Sequence, residues 1–245
     1  MLVSGVDKVF SIYNSFRKEK ADFSHLSEFQ HIEFEGHVNF EKNMQISLDL
    51  LRHIICYLIK NNTSDLRYFL TNEEIDSLKK TFDSENFIKI SFREALLLLY
   101  KDTNDSKYME YTLKHFGSWE EIRLTEILGK HAIITQYPVL EIPFYHNELQ
   151  TTGNAENADI VLYGYREVIG SGTRITDTET LLKKSKIFNL PPEDYAPYLE
   201  SRQVATYKSS SGFGLGWQRL THWLLKLPTI TEAVHVPRGH WIPRP

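Results

Sequence analysis

Apolar residues recur along this chain at two spacings, about every second residue in some stretches and every three to four in others, and the change of spacing marks its elements. Residues 8 to 17, KVFSIYNSFR, and Glu28 to Val38, EFQHIEFEGHV, are crowded with aromatic and branched side chains and predict two strands. The polar stretch between them, KEKADFSHLS, is short enough to make an antiparallel pair, and the loop becomes a candidate site. From Phe40 to Asn61 the residues Met44, Leu48, Leu51, Ile55, Leu58 and Ile59 form the stripe of an amphipathic helix, and Cys56 within it is expected to be a buried thiol.

The section from Thr71 to Leu128 carries two capping boxes. Thr71 with Glu74 opens TNEEIDSLKKTF, and Ser91 with Glu94 opens SFREALLLLYK. A mainly helical insertion at about 65–128, packed beside the sheet, is predicted within a single domain spanning 1–245. After it the texture changes. HAIITQYPVLEIPFYHN, ADIVLYGYREVIGSG and SSGFGLGWQR carry short apolar runs punctuated by Pro and Gly, which read as strands and turns. TDTETLLKKSKIFNL and QRLTHWLLKLP read as helices, the second closed by Pro228. Lys183, Lys184 and Lys186 read as a solvated helix face rather than an RNA patch. The fold class is α+β, an antiparallel β-sheet flanked by helices.

Composition narrows the setting. In 245 residues, 41% hydrophobic and 24% charged, the net charge is −4, so no global basic field exists and nucleic acid would be held only through a local patch. One cysteine excludes an internal disulfide and a CxxC pair. None of the ten histidines stands in a zinc spacing, and His31 and His37 read as structural. The start MLVSGVDKVF lacks a signal-peptide pattern and the best apolar windows are broken by Arg52 and His53; a cytoplasmic chain with no membrane partner is expected.

The segment SGFGLGWQR poses the chemical question. Its glycines, Gly212, Gly214 and Gly216, miss the register of a dinucleotide fingerprint, since Trp217 stands where the third glycine belongs, and no G-K-[ST] follows for a Walker loop. Alternation instead sets the glycines on one strand face and Phe213, Leu215 and Trp217 on the other. A face stripped of side chains suits close approach of a flat ligand, or of a tightly crossing helix. Arg219 then stands near a helix start, where an anion is favoured.

At these residues the chain resembles a known family. GFGLGWQRLTHWLLKLPTITEAVHVPR resembles motif 3 of class II aminoacyl-tRNA synthetases, the asparaginyl and aspartyl subgroup in particular. SFRKEKADFSHLSEFQHIEFE looks like motif 2, and ADIVLYGYREVIGSGTRITD looks like the segment in which an Asp, a Glu, a small-residue turn and an Arg line the active site. These segments span most of residues 4 to 45 and 130 to 240. Ser24 stands where the subgroup usually has an arginine before the histidine, Ile142 where a lysine is common, and Ile175 follows the GSGTR turn as in aspartyl enzymes.

The resemblance implies a class II synthetase-like core that uses ATP and Mg²⁺. It implies that Arg17 holds the α-phosphate and the substrate carboxylate, Glu19 the adenine amino group, and His25 the terminal phosphates. Phe29 would stack on adenine over a floor containing Gly214 and Gly216, and Arg219 would pin the γ-phosphate of a bent ATP. Asp159 and Glu167 would carry the metal, while Arg174 and Glu28 would meet the amino-acid substrate. The activity implied is formation of an acyl-adenylate of aspartate, asparagine or a related acid, with transfer to tRNA, contacted at its acceptor end only, or to a small amine. A non-catalytic paralog that keeps an ATP or amino-acid pocket is the competing expectation. The family's motif 1 helix and strand and its anticodon-binding barrel have no counterpart in the residues before Lys8, so an oligomer is expected not to use the usual motif 1 interface.

Overall fold

A computed structural model describes residues 2–18, 23–150, 152–204 and 207–238. The aromatic-rich stretches form β1 (Lys8–Phe16) and β2 (Glu28–Gly36), antiparallel from the Lys8↔Gly36 pair to Phe16↔Glu28. The chain then turns into α1 (Phe40–Asn61), whose first turn is capped by the Asn39 side chain accepting the Lys42 N–H. After α2 (Thr63–Leu66) come α3 (Asn72–Thr81) and α4 (Phe92–Thr103), each opened by the expected capping box, and α5 (Ser118–Leu128).

Between α3 and α4 lies a strand that the pattern did not mark, β3 (Phe87–Ser91). It runs parallel to β4 (His131–Thr135). Its last residue, Ser91, is also the cap of α4, so the strand is too short and too closely fused to a helix to display an alternation of its own. The remaining elements are β5 (Asn157–Val161), β6 (Glu167–Thr173), α6 (Thr178–Ile187), α7 (Pro192–Glu200), β7 (Ser211–Gly216) and α8 (Trp217–Leu224).

The seven strands lie in the order β1-β2-β7-β6-β5-β4-β3, antiparallel except for the β3–β4 edge. One sheet face carries the main core. Phe34 and Phe213 stack there with ring centroids 5.5 Å apart, and Leu215, Ile169 and Ile160 pack with Met44, Leu51 and Ile55 of α1 and Leu220 and Leu224 of α8. A second core, centred on Phe92, Leu96, Leu99 and Leu124, seats α4 and α5 against Ala132, Ile134 and Val161. No helix among the described residues is long and apolar enough to cross a membrane.

Four local expectations need correction. Cys56 is exposed, because one residue past the buried Ile55 the helix has rotated about 100° away from the core, as it has at exposed Tyr57. Trp217 does not continue β7: it begins α8 and is 46% exposed. α8 ends at Leu224, and Lys226 takes a φ of +50°, so the helix stops before Pro228 rather than at it. Lys183 and Lys186 are solvated but Lys184 is buried, because it shares a helical face with Leu181 and Ser185; its ammonium donates to the His146 carbonyl at 2.8 Å.

Burial pushes the Lys184 ammonium down to about 8. The folded chain therefore sheds this proton before the unfolded chain does, whose lysines titrate near ~10.4, and stability contributed by this group rises as pH climbs between the two values. In denaturant titrations, the wild type should gain stability relative to Lys184→Met on going from about pH 7.5 to about pH 9.5. Parallel changes in the two proteins would show that Lys184 is not desolvated.

Candidate active site

Strand register gathers five glycines on the sheet face opposite the main core. Gly212 and Gly214 of β7 stand directly opposite Gly172 and Gly170 of β6, and Gly216 ends the row opposite His31. Glu33 faces Gly214 and Glu35 faces Gly212 on β2, while Asp159 of β5 faces Gly170. The result is a bare floor walled by acidic side chains.

These glycines are not equivalent. A Cβ on Gly212 would lie 2.1 Å from a Glu35 carboxylate oxygen and 2.5 Å from the Phe34 carbonyl; one on Gly172 would lie 2.2 Å from the His146 ring. There the protein itself has filled the space. On Gly214 the nearest atom would be 3.5 Å away and on Gly216 3.7 Å, ordinary contact distances. Nothing among the described residues requires glycine at those two positions, and the absence of side chains there keeps open the volume above the floor.

A cleft over this end of the floor is lined by Arg17, His25, Phe29, His31, Glu167, Gly214, Gly216 and Arg219, together with Ser24, Leu26, Val168, Gln218 and Ile230. Seven of the predicted residues are thus brought together. The Arg17 guanidinium lies 5.2 Å above the Phe29 ring, whose edge meets His31 with centroids 4.9 Å apart. His31, pushed down in pKa by burial, hydrogen-bonds Ser15 across β1. Arg219, in the first turn of α8, donates to the Glu167 carbonyl at 2.9 Å and meets its carboxylate at 3.3 Å. Gln218 beside it accepts the Gln30 N–H, tying the helix start to β2. Glu19 lies outside the described residues.

Asp159 and Glu167 converge over Gly170: a Cβ there would lie 2.7 Å from one Glu167 oxygen and 3.6 Å from one of Asp159. Burial, and then the Glu167 charge, push the Asp159 carboxyl well above its ordinary pKa. Two oxygen donors held against their mutual repulsion fit a hard divalent cation such as Mg²⁺, which is commonly bound by one or two carboxylates and completed by phosphate oxygens. Among the described residues no group of three or more His, Cys, Asp or Glu is arranged to hold a metal, so the pair suits a cation that arrives with a polyphosphate.

At the other end of the floor, Arg174 donates through Nε and Nη2 to one oxygen of Glu35, at 3.0 and 2.8 Å, and lies 4.9 Å over the Tyr145 ring. The other oxygen, Glu35 Oε1, is buried and accepts no hydrogen bond from any of the described residues. Glu28 is not brought to this end. The β2 alternation turns Phe29, His31, Glu33 and Glu35 to the floor and Glu28 to the opposite face, where it binds Asn14 and Arg238, each at 2.9 Å. Glu33 and Glu35 are the acids of β2 that face the floor, and the same alternation was the signal available for them.

Sequence reasoning also missed a buried pair. Arg166, immediately before β6, meets Glu121 of α5 at 3.0 Å, and its other arm reaches Ser24 and His25. Adjacency to Glu167 was the only local sign of Arg166. Glu121 had none, since its partner is 45 residues away.

Residues 1–240 match the family model described as tRNA synthetases class II (D, K and N). The asparagine–tRNA ligase of Lactobacillus delbrueckii subsp. bulgaricus is 30% identical over 241 residues, covering 94% of this chain and 52% of that protein. The Lactococcus lactis subsp. cremoris enzyme of the same name is 33% identical with the same coverage. Among solved structures, asparaginyl-tRNA synthetase from Pyrococcus horikoshii complexed with asparaginyl-adenylate superposes with a TM-score of 0.87 at 30% identity, over 100% of this chain and 56% of that one. Aspartyl-tRNA synthetase from Entamoeba histolytica, at 20% identity and a TM-score of 0.82, covers 100% of this chain and 50% of that one and shares the fold. The chain spans about half the length of the curated relatives it matches.

The two kinds of glycine separate experimentally. Gly212→Ala should destabilise the protein by about 1–3 kcal/mol, as overpacking does, whereas Gly214→Ala should leave stability within about 1 kcal/mol while narrowing the floor. Equal shifts in denaturation midpoint would remove the distinction.

Proposed function

Because the chain belongs to the class II tRNA synthetase family (D, K and N), we propose that it is an ATP- and Mg²⁺-dependent ligase that activates asparagine as an acyl-adenylate. The single observation that carries the choice of amino acid is the Arg174–Glu35 pair. A carboxamide both accepts and donates; Arg174 supplies donors, and the unpartnered Oε1 of Glu35 supplies a buried acceptor. An aspartate in the same place would set a second carboxylate against that oxygen, with like-charge repulsion and no hydrogen to share. The relatives named as asparagine–tRNA ligases, and the Pyrococcus horikoshii enzyme with its asparaginyl-adenylate, point the same way.

In the proposed reaction, a carboxylate oxygen of the amino acid attacks the α-phosphorus of ATP. The bond from that phosphorus to the β-phosphate oxygen breaks, and pyrophosphate leaves. No proton has to move, so the demand on the protein is positioning and charge stabilisation rather than acid–base catalysis. Arg17, lying over the Phe29 ring at the cleft, is suited to hold the carboxylate and α-phosphate together, with adenine stacked on Phe29. His25 and Arg219 line the same cleft and suit the outer phosphates, and Glu167 would exchange its contact with Arg219 for the metal. When bound between Asp159 and Glu167, Mg²⁺ would neutralise phosphate charge as a Lewis acid. Acyl transfer then needs a nucleophile, and the relatives' names make tRNA the acceptor to test first, with a small amine as the alternative.

Amino-acid-dependent exchange of labelled pyrophosphate into ATP tests the first step. Exchange should be faster with asparagine than with aspartate, and Glu35→Gln should lower the asparagine rate about 10- to 100-fold, the loss of one buried charge-assisted hydrogen bond. Absence of exchange with every amino acid tried would sink the catalytic claim. Arg219→Ala should abolish exchange in a protein that still folds; residual turnover accompanied by lost stability would mark Arg219 as a packing residue.

A further inference from the structure

We propose that Arg166 is a positioning residue for nucleotide binding, one that sets His25 for the terminal phosphates of a nucleoside triphosphate; this rests on reading the cleft as an ATP site. The guanidinium of Arg166 is buried and forks between two elements. Its Nε meets Glu121 of α5 at 3.0 Å. Its Nη1 donates to the Ser24 hydroxyl at 2.6 Å and meets the His25 ring nitrogens at 2.9 and 3.3 Å.

A buried Arg–Glu pair is by itself weak evidence of anything beyond cohesion, since desolvation offsets much of its attraction. What distinguishes this one is the direction of the second arm. Ser24 and His25 line the cleft beside Glu167 and Arg219, and Arg166 ends on both. Both His25 ring nitrogens lie within reach of the same Nη1, so the guanidinium fixes where the ring sits beside Glu167 and Arg219.

The support behind Arg166 is equally specific. The same Glu121 oxygen that binds its Nε accepts the Glu167 N–H at 3.4 Å, and Thr125, one turn further along α5, accepts the Gly164 N–H at 3.0 Å. α5 thus clamps the chain entering β6, and Arg166 carries that fixed position across to the β1–β2 loop. Ser24 is 1% exposed, so a long side chain there would compete with the guanidinium for one space. The loop residue is small and the cation arrives from the turn that enters β6.

Calorimetric titration with ATP·Mg²⁺ and with AMP tests this. Removing Arg166 alone would leave Glu121 buried without its partner, so Arg166→Gln is paired with Glu121→Gln to keep the site neutral and foldable. The wild type should bind both nucleotides. The paired variant should bind ATP roughly tenfold more weakly, the equivalent of one hydrogen bond, while AMP affinity, which lacks the terminal phosphates, stays unchanged. In a His25→Ala background the same paired change should add no further loss, because both act through one contact. Ser24→Arg added to the paired variant, which returns the guanidinium from the loop side, should recover ATP affinity relative to the paired variant. Equal loss for ATP and AMP, no loss for either, or additivity with His25→Ala would overturn the inference. If the wild type itself binds neither nucleotide, the ATP-site reading fails first, and the inference with it.

Discussion

A strand can present a bare face only if its other face holds it in place. β7 depends on that constraint and the site depends on β7. Its glycines contribute no packing to the floor, so the strand is held from below by Phe213 stacked on Phe34 and by fully buried Leu215. Asn43 of α1 adds a side-chain hydrogen bond to the Gly212 carbonyl at 3.2 Å. The core beneath is therefore part of the site's construction: α1 and α8 fix the height and flatness of a surface that has no side chains with which to fix itself.

Upon that surface, charge is organised in pairs. Arg174 with Glu35, Arg219 with Glu167, and Arg166 with Glu121 stand at successive places along and beside the floor, each arginine already committed to an acid. Such pairing restricts guanidinium positions before any ligand arrives, which is the condition for electrostatic stabilisation without reorganisation. It also shields each guanidinium, so the polyphosphate and metal proposed for the cleft would change partners within an existing network rather than fill an unshielded cationic pocket.

How much of this was legible in the sequence divides along the range of the interactions. Capping at Thr71 and Ser91, the β1–β2 pair and the glycine alternation are written in neighbours a few residues apart, and they fold as read. β3 was missed because a five-residue strand fused to a helix cap leaves no periodic trace. The exposure of Cys56 and burial of Lys184 turn on single steps of helical phase, finer than a stripe can resolve. Glu28 was assigned to the substrate although its own strand alternation excludes it from the face that carries Phe29, where Glu33 and Glu35 stand instead. The Arg166 contacts to Ser24 and His25 join residues 142 and 141 positions apart, a separation at which local pattern carries no information.

The floor has a consequence for how this protein would look under saturation mutagenesis. Positions such as Gly212 and Gly172 would score as intolerant as any catalytic arginine, although they present no functional group. Gly214 and Gly216 would pass an abundance screen and fail only a functional one. A map of tolerance alone would merge empty space with chemistry, and only the difference between the two screens would recover the outline of the proposed ligand from the residues that decline to occupy its place.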